Sequence, residues 1–153
     1  MLYYLKIIYI YYLEMDIELL KQALENDNNL NLINKNIQDI KKEKNDILQQ
    51  LCLNRVDLKT FNSKLKDYRY IDDIKDLNYG FNIRWINLNK LENIYICNGA
   101  ILCDIKTLSK GIGLYLKTYN NKFITIYLNE NLIFQRISDQ EKILLKAINY
   151  LSK

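Results

Sequence analysis

The hydrophobic period changes once along the chain: before residue 80 apolar positions recur at helical spacing, and after it they alternate. Ile17, Leu20 and Leu24 open the helical half, running from Met15 to Glu25. The polar run Asn26-Asp27-Asn28-Asn29 then predicts a turn or joint. Beyond it Leu30, Ile33, Ile37, Ile40, Ile47 and Leu51 fall on successive a and d positions of a heptad, with Lys44 at the one a position that is not apolar. A heptad keeps one narrow seam facing a partner helix, and the flanking Asn, Gln, Lys, Asp and Glu keep this one narrow. Residues 30–51 therefore predict a coiled coil with a second copy or another protein. Two alternatives stand beside it: pairing with the helix before Asn26, and packing on the chain's own core, which ordinarily uses a wider apolar face. In a coiled coil Lys44 would lower stability and select register or oligomer state. A further short helix, started by Asp57, carries Leu58, Phe61 and Leu65 and leads through Tyr68-Arg69-Tyr70 into an acidic link, Asp72 to Asp76.

From Phe81 a period of two predicts strands near 81–88, 93–105, 112–118, 122–128 and 131–136. Tyr119-Asn120-Asn121-Lys122 and Asn129-Glu130-Asn131 have hairpin-turn composition. Ser138-Asp139-Gln140-Glu141 matches a capping box, and Ile143, Leu144, Ala147, Ile148 and Leu151 give the helix that follows an apolar face. The expected fold is α+β: an apolar leader over 1–14, a helical arm over 15–76, and a small β domain over 77–153 in which five antiparallel strands make a barrel-like sheet with a C-terminal helix lying across it.

Composition narrows what such a fold can do. Ile, Lys, Asn and Tyr make up 74 of the 153 residues, with no Pro and no His, a bias that fits AT-rich coding and strips Lys and Asn of meaning unless position supports it. Arg occurs four times and is the more informative cation. Residues 1–80 carry 12 basic and 13 acidic side chains, whereas residues 81–153 carry 10 and 5. A basic β domain attracts polyanions through its long-range field. Arg84, Lys106, Lys117, Lys122 and Arg136 could supply such a surface, and Tyr95, Tyr115 and Tyr127 could supply stacking platforms between them. Arg84 and the only Trp, Trp85, are adjacent on the first predicted strand and so face opposite ways, with Trp85 expected in the core.

Without His, Ser-His and Cys-His nucleophilic mechanisms are excluded as usually built. Asp72-Asp73-x-x-Asp76 resembles one acidic box of the prenyl-diphosphate synthases but lacks the second box and the helical bundle, and a solvated link is the expectation. Gly111-Ile112-Gly113 lacks the third glycine of a phosphate loop and reads as a turn containing Lys110. Cys52, Cys97 and Cys103 show no metal or disulfide spacing and are expected as free thiols, buried and apolar, in a reducing compartment. The first 13 residues, apolar except for Lys6, are too short to cross a bilayer. A packed leader or added strand, a natural start at Met15, and a membrane-surface anchor are the readings open for them.

Gly80-x-x-Ile83-Arg84-Trp85, Asn98-Gly99-Ala100-Ile101-Leu102 and Ile133-Phe134-Gln135 running into Ser138-x-x-Glu141 resemble a small domain of uncharacterised proteins from the nucleocytoplasmic large DNA viruses. The resemblance covers the C-terminal half. It implies an infected cell's cytoplasm, a viral factory or a particle as context, and carries over no catalytic residue. The functional expectation is a cytoplasmic, non-enzymatic structural or interaction protein that associates through residues 30–51, with no metal, cofactor or small-molecule substrate and no membrane as partner. The alternative is a nucleic-acid-binding accessory factor that uses the basic β surface; an enzyme working with carboxylates alone comes third.

Overall fold

A computed structural model describes residues 2–32 and 35–151, the side chains of 8–16, 30, 31, 150 and 151 excepted. The chain divides into two compact units, residues 40–137 and residues 1–39 together with 138–153. The expected boundary at residue 77 falls inside the unit of residues 40–137.

In the unit formed by the termini, α1 (Leu2–Glu25) runs through the expected leader and the expected helix without a break. An all-apolar stretch has no period to mark it as helix, so the sequence left its type open. The Asn run ends α1 as predicted, and a 3₁₀ turn follows over Asp27–Leu32. Asn29 is buried and its Nδ2 donates to the Ala23 carbonyl at 2.9 Å, satisfying one of the acceptors that a helix end leaves over. α4 (Asp139–Leu151) packs against α1 and buries Leu144 and Leu145. Its capping box closes in both directions: the Glu141 N–H donates to Ser138 Oγ and the Ser138 N–H to Glu141 Oε1, each at 3.1 Å. Among the described residues no helix is long and apolar enough to cross a membrane.

The other unit is built on a six-stranded antiparallel sheet of β1 (Tyr68–Ile71), β2 (Asn82–Asn87), β3 (Ala100–Leu108), β4 (Gly111–Thr118), β5 (Phe123–Tyr127) and β6 (Asn131–Arg136), in the order β1-β6-β2-β3-β4-β5. The sheet is open rather than a barrel and has six strands rather than five. The added strand is β1, and it pairs with β6, so β1 and β5 remain edges. A barrel would have required those two edges to meet. The segment expected as a strand over 93–105 is a loop as far as Gly99, held to β2 by a bridge between Ile86 and Ile96 and by the Cys97 N–H donating to the Trp85 carbonyl at 2.9 Å.

Each face of the sheet carries its own core. On one, Ile71, Ile83, Trp85, Leu102, Leu114, Leu116, Ile126 and Ile133 are buried together. On the other, Ile86, Leu132 and Phe134 meet Leu48 of α2 (Ile37–Gln49), Phe61 of α3 (Arg55–Lys64) and Leu65 at its C-terminal cap. Full burial of one such side chain contributes about 1.5–3 kcal/mol relative to exposure. Trp85 is thus core, as its alternation with Arg84 predicts.

The heptad resolves differently from the expectation. The Leu30 side chain and Ile33 lie outside the described residues, and the backbone around them is not one helix: a 3₁₀ turn ends at Leu32 and α2 starts only at Ile37. Within α2, Ile40 is buried, and Ile47 with Leu51 just beyond packs against the core under α3. Lys44 is buried and donates through Nζ to the Leu65 carbonyl at 2.8 Å and the Tyr68 carbonyl at 3.1 Å. It closes the C-terminal end of α3 and ties it to the start of β1, a place where helix carbonyls want a cation. Burial, reinforced by Lys41 and opposed by Asp67, lowers its pKa.

Candidate functional site

Directly opposed residues in an antiparallel sheet share a face. Ile101 is opposite Asn82 on one side and Lys117 on the other, and Lys117 is opposite Phe123. A β-bulge between Leu102 and Asp104 then resets the register, so that Asp104, Tyr115 and Thr125 form the next row and Lys106, Gly113 and Tyr127 the one after. Without the bulge, strict alternation from Ile101 would turn Lys106 into the apolar core. These rows continue the face on which Arg84, Ile86 and Phe134 lie. Helices α2 and α3 cover that face over β1, β6 and β2 as far as Arg84, beyond which Arg136 at the end of β6 is exposed and Asn82 partly so. Over β3, β4 and β5 it stays open to solvent: Phe123 is 68% exposed and Ile101 42%.

Four lysines, Lys106, Lys110, Lys117 and Lys122, belong to this β3–β5 meander, against a single carboxylate, Asp104. Asp104 lies 3.8 Å from Lys106, and both are about half exposed. Two of the amines are held over rings, Lys106 Nζ at 5.0 Å from the Tyr115 centroid and Lys110 Nζ at 6.0 Å from that of Tyr127. Each contact contributes about 0.5–1 kcal/mol at an exposed site and keeps cation and ring side by side. The surface therefore offers positive charge, flat aromatic area and one exposed Phe at the sheet edge.

The sequence-predicted residues divide accordingly. Lys106, Tyr115, Lys117 and Tyr127 come together on the meander, and Lys122 is exposed in the hairpin turn between β4 and β5. Arg136, exposed at the end of β6, is opposite Tyr68 on the same face. Arg84 is more committed: its Nη1 donates to the Lys64 carbonyl at 3.1 Å, and its guanidinium lies 5.4 Å from the Tyr68 ring centroid. Tyr95 is separate, in the loop between β2 and β3 beside Lys90 and Cys97. Phe123 and Lys110 were not among the predicted residues. The alternation of Phe123 with Ile124 and Ile126 was legible, and closing the β3–β4 turn with Gly111 is what sends Lys110 back over Tyr127.

Other candidate chemistry is accounted for by structure. Asp73 accepts from the Lys75 N–H at 3.0 Å and caps a 3₁₀ turn over Ile74–Asp76. Gly111 has a φ of +132°, and a Cβ there would sit 2.8 Å from Asn129 Oδ1, so glycine serves the turn and the approach of Asn129. Cys52 and Cys103 are exposed and Cys97 half-buried, against the expectation that all three are interior. An apolar groove of about 420 Å³ opens beside the end of α2, lined by Ile47, Leu51, Leu88, Leu91, Ile94 and Leu132, with Gln50 as its polar side chain. No family model matches the chain, and no curated protein or solved structure is significantly similar to it.

Proposed function

We propose that this protein binds single-stranded nucleic acid on the face of β3–β5 that the helices leave open. The observation that carries the reading is the grouping of Lys106, Lys110 and Lys117 with Tyr115, Tyr127 and Phe123 against one carboxylate. Lysines track a phosphate backbone, and exposed rings take unstacked bases whatever their identity. A duplex, whose bases are already stacked, gains nothing from the rings. Association through residues 30–51 is the weaker reading, because Ile40, Lys44, Ile47 and Leu51 are engaged within the chain's own core.

The test is fluorescence anisotropy with labelled single- and double-stranded oligonucleotides over a range of salt concentrations. Engagement of about four phosphates on a single strand gives a slope of log affinity on log salt near −3, from about −0.7 per phosphate. Affinity independent of salt, or tighter binding of the duplex, would rule the reading out.

A further inference from the structure

We infer that the bound strand crosses the β-strands, from Arg136 to Phe123, instead of running along the meander. This rests on the reading above and adds a path and a length to it. The register sets the path. Asn82 precedes Ile83, whose partner is Gln135, so Asn82 lies beside Arg136 on β6. Asn82 is opposite Ile101, Ile101 opposite Lys117, and Lys117 opposite Phe123. One straight row therefore joins five strands on a single face, and the helix that would interrupt it ends at Lys64, beside Arg84.

The row offers both kinds of contact that a single strand uses, charge and a flat apolar platform. Arg136 at one end and Lys117 near the other supply cations for phosphates, with Asn82 and the exposed Ile101 between them, and Phe123 closes the row as a platform. Row and ligand are complementary in charge: none of these five positions is acidic. Arg136 has no place in a path along the meander, since β2 and β3 separate β6 from β4. It is the residue that distinguishes the two directions.

The row also fixes a length. Four inter-strand steps of about 4.8 Å make a track of about 19 Å. At about 3.4 Å per stacked nucleotide that holds about six nucleotides, within the range of known single-strand sites.

The experiment uses the full chain and fluorescein-labelled oligothymidylates of about three to twelve nucleotides. Affinity is expected to climb steeply up to about six nucleotides and then to grow only with the number of registers available. Arg136→Gln is expected to weaken the six-nucleotide probe about tenfold, the loss of one charge-assisted contact. Lys146→Gln, a change of equal charge at an exposed position outside the sheet, is expected to leave it within about twofold, as a screened surface charge would. If Arg136→Gln binds like the parent while Lys117→Gln is impaired, the crossing path is wrong and the meander alone is the site. If no oligothymidylate binds, the nucleic-acid reading itself fails. Equal competition by a polyglutamate of matched charge would show that any polyanion suffices, and would overturn the path as well.

Discussion

Arg69 Nη2 and Gln135 Nε2 both donate to the carbonyl oxygen of Asp76, at 3.0 and 3.3 Å. The two are register partners on β1 and β6, and Gln135 Oε1 in turn accepts from the Asn78 N–H at 2.8 Å. A segment without strand pairing of its own, Asp76 to Asn78, is thereby held to the sheet, and Leu77 between them enters the core. Gln135 is 0% exposed, so its amide group was taken out of water to make these bonds. Gln135→Leu should leave the Asn78 N–H without its acceptor and lower stability by about 2–3 kcal/mol, from the usual cost of an unsatisfied buried donor plus one lost bond. Urea unfolding of mutant and parent measures it, and a change below about 0.5 kcal/mol, ordinary for surface positions, would show that the clamp is dispensable.

The clamp also explains what could be read in advance and what could not. The Ser138–Glu141 box and the strands over 112–118, 122–128 and 131–136 rest on local spacing, and all appear close to where the spacing puts them. β1 was hidden because Tyr68-Arg69-Tyr70-Ile71 is four residues long, lies between a helix and an acidic link, and carries a buried Arg whose carbonyl partner is seven residues away. The heptad over 30–51 was ambiguous in a different way. Apolar positions three and four apart say that one side of a helix is covered, not whether a helix or a sheet covers it. The meander's face was half legible: alternation placed Tyr115 and Tyr127 together, but only the bulge after Leu102 brings Lys106 onto the same side.

Tyr70 lies against Phe134, with ring centroids 5.8 Å apart. Burial, with the Asp72 carboxylate adding to it, pushes the phenol above its ordinary pKa. At pH values below the ordinary tyrosine range both folded and unfolded chains are protonated, and the stability is fully present. Above that range the unfolded chain releases the proton first, the folded state binds more protons, and stability falls as pH rises through the raised value. Tyr70→Phe removes this loss. Urea unfolding at neutral and at strongly alkaline pH should therefore show the mutant gaining on the parent as pH rises; a constant difference would contradict the assignment.

The three thiols should separate by rate. Cys52 and Cys103 are exposed, whereas Cys97 packs against the core beside Trp85. Burial pushes the Cys97 thiol up, only partly offset by Lys90 and by a hydrogen bond with Tyr95, and the thiolate is the reacting form. With a chromogenic disulfide reagent at mildly alkaline pH, two thiols should react fast and one slowly, and Cys97→Ser should abolish the slow phase alone. Three equal rates in the folded protein would mean that the loop between β2 and β3 does not shield Cys97.

Lys117 and Phe123 are opposed on neighbouring strands, so substituting them tests charge and stacking at almost the same place. Phe123 is exposed at the sheet edge, and Phe123→Ala leaves both cores untouched. On the proposed single strand it should cost about 1–3 kcal/mol of binding, the usual loss of one stacked base, with the salt slope unchanged. Lys117→Gln should weaken binding less at high salt than at low salt, and should make the slope shallower by about 0.7, one phosphate's share. The two effects are of different kinds, and that is what makes the pair informative. A ligand held by charge alone would respond to Lys117→Gln and ignore Phe123→Ala. An apolar protein partner would do the reverse, losing affinity with Phe123 at every salt concentration and showing no slope to change. Only a chain that presents phosphates and flat bases together should lose affinity through Phe123 and salt dependence through Lys117.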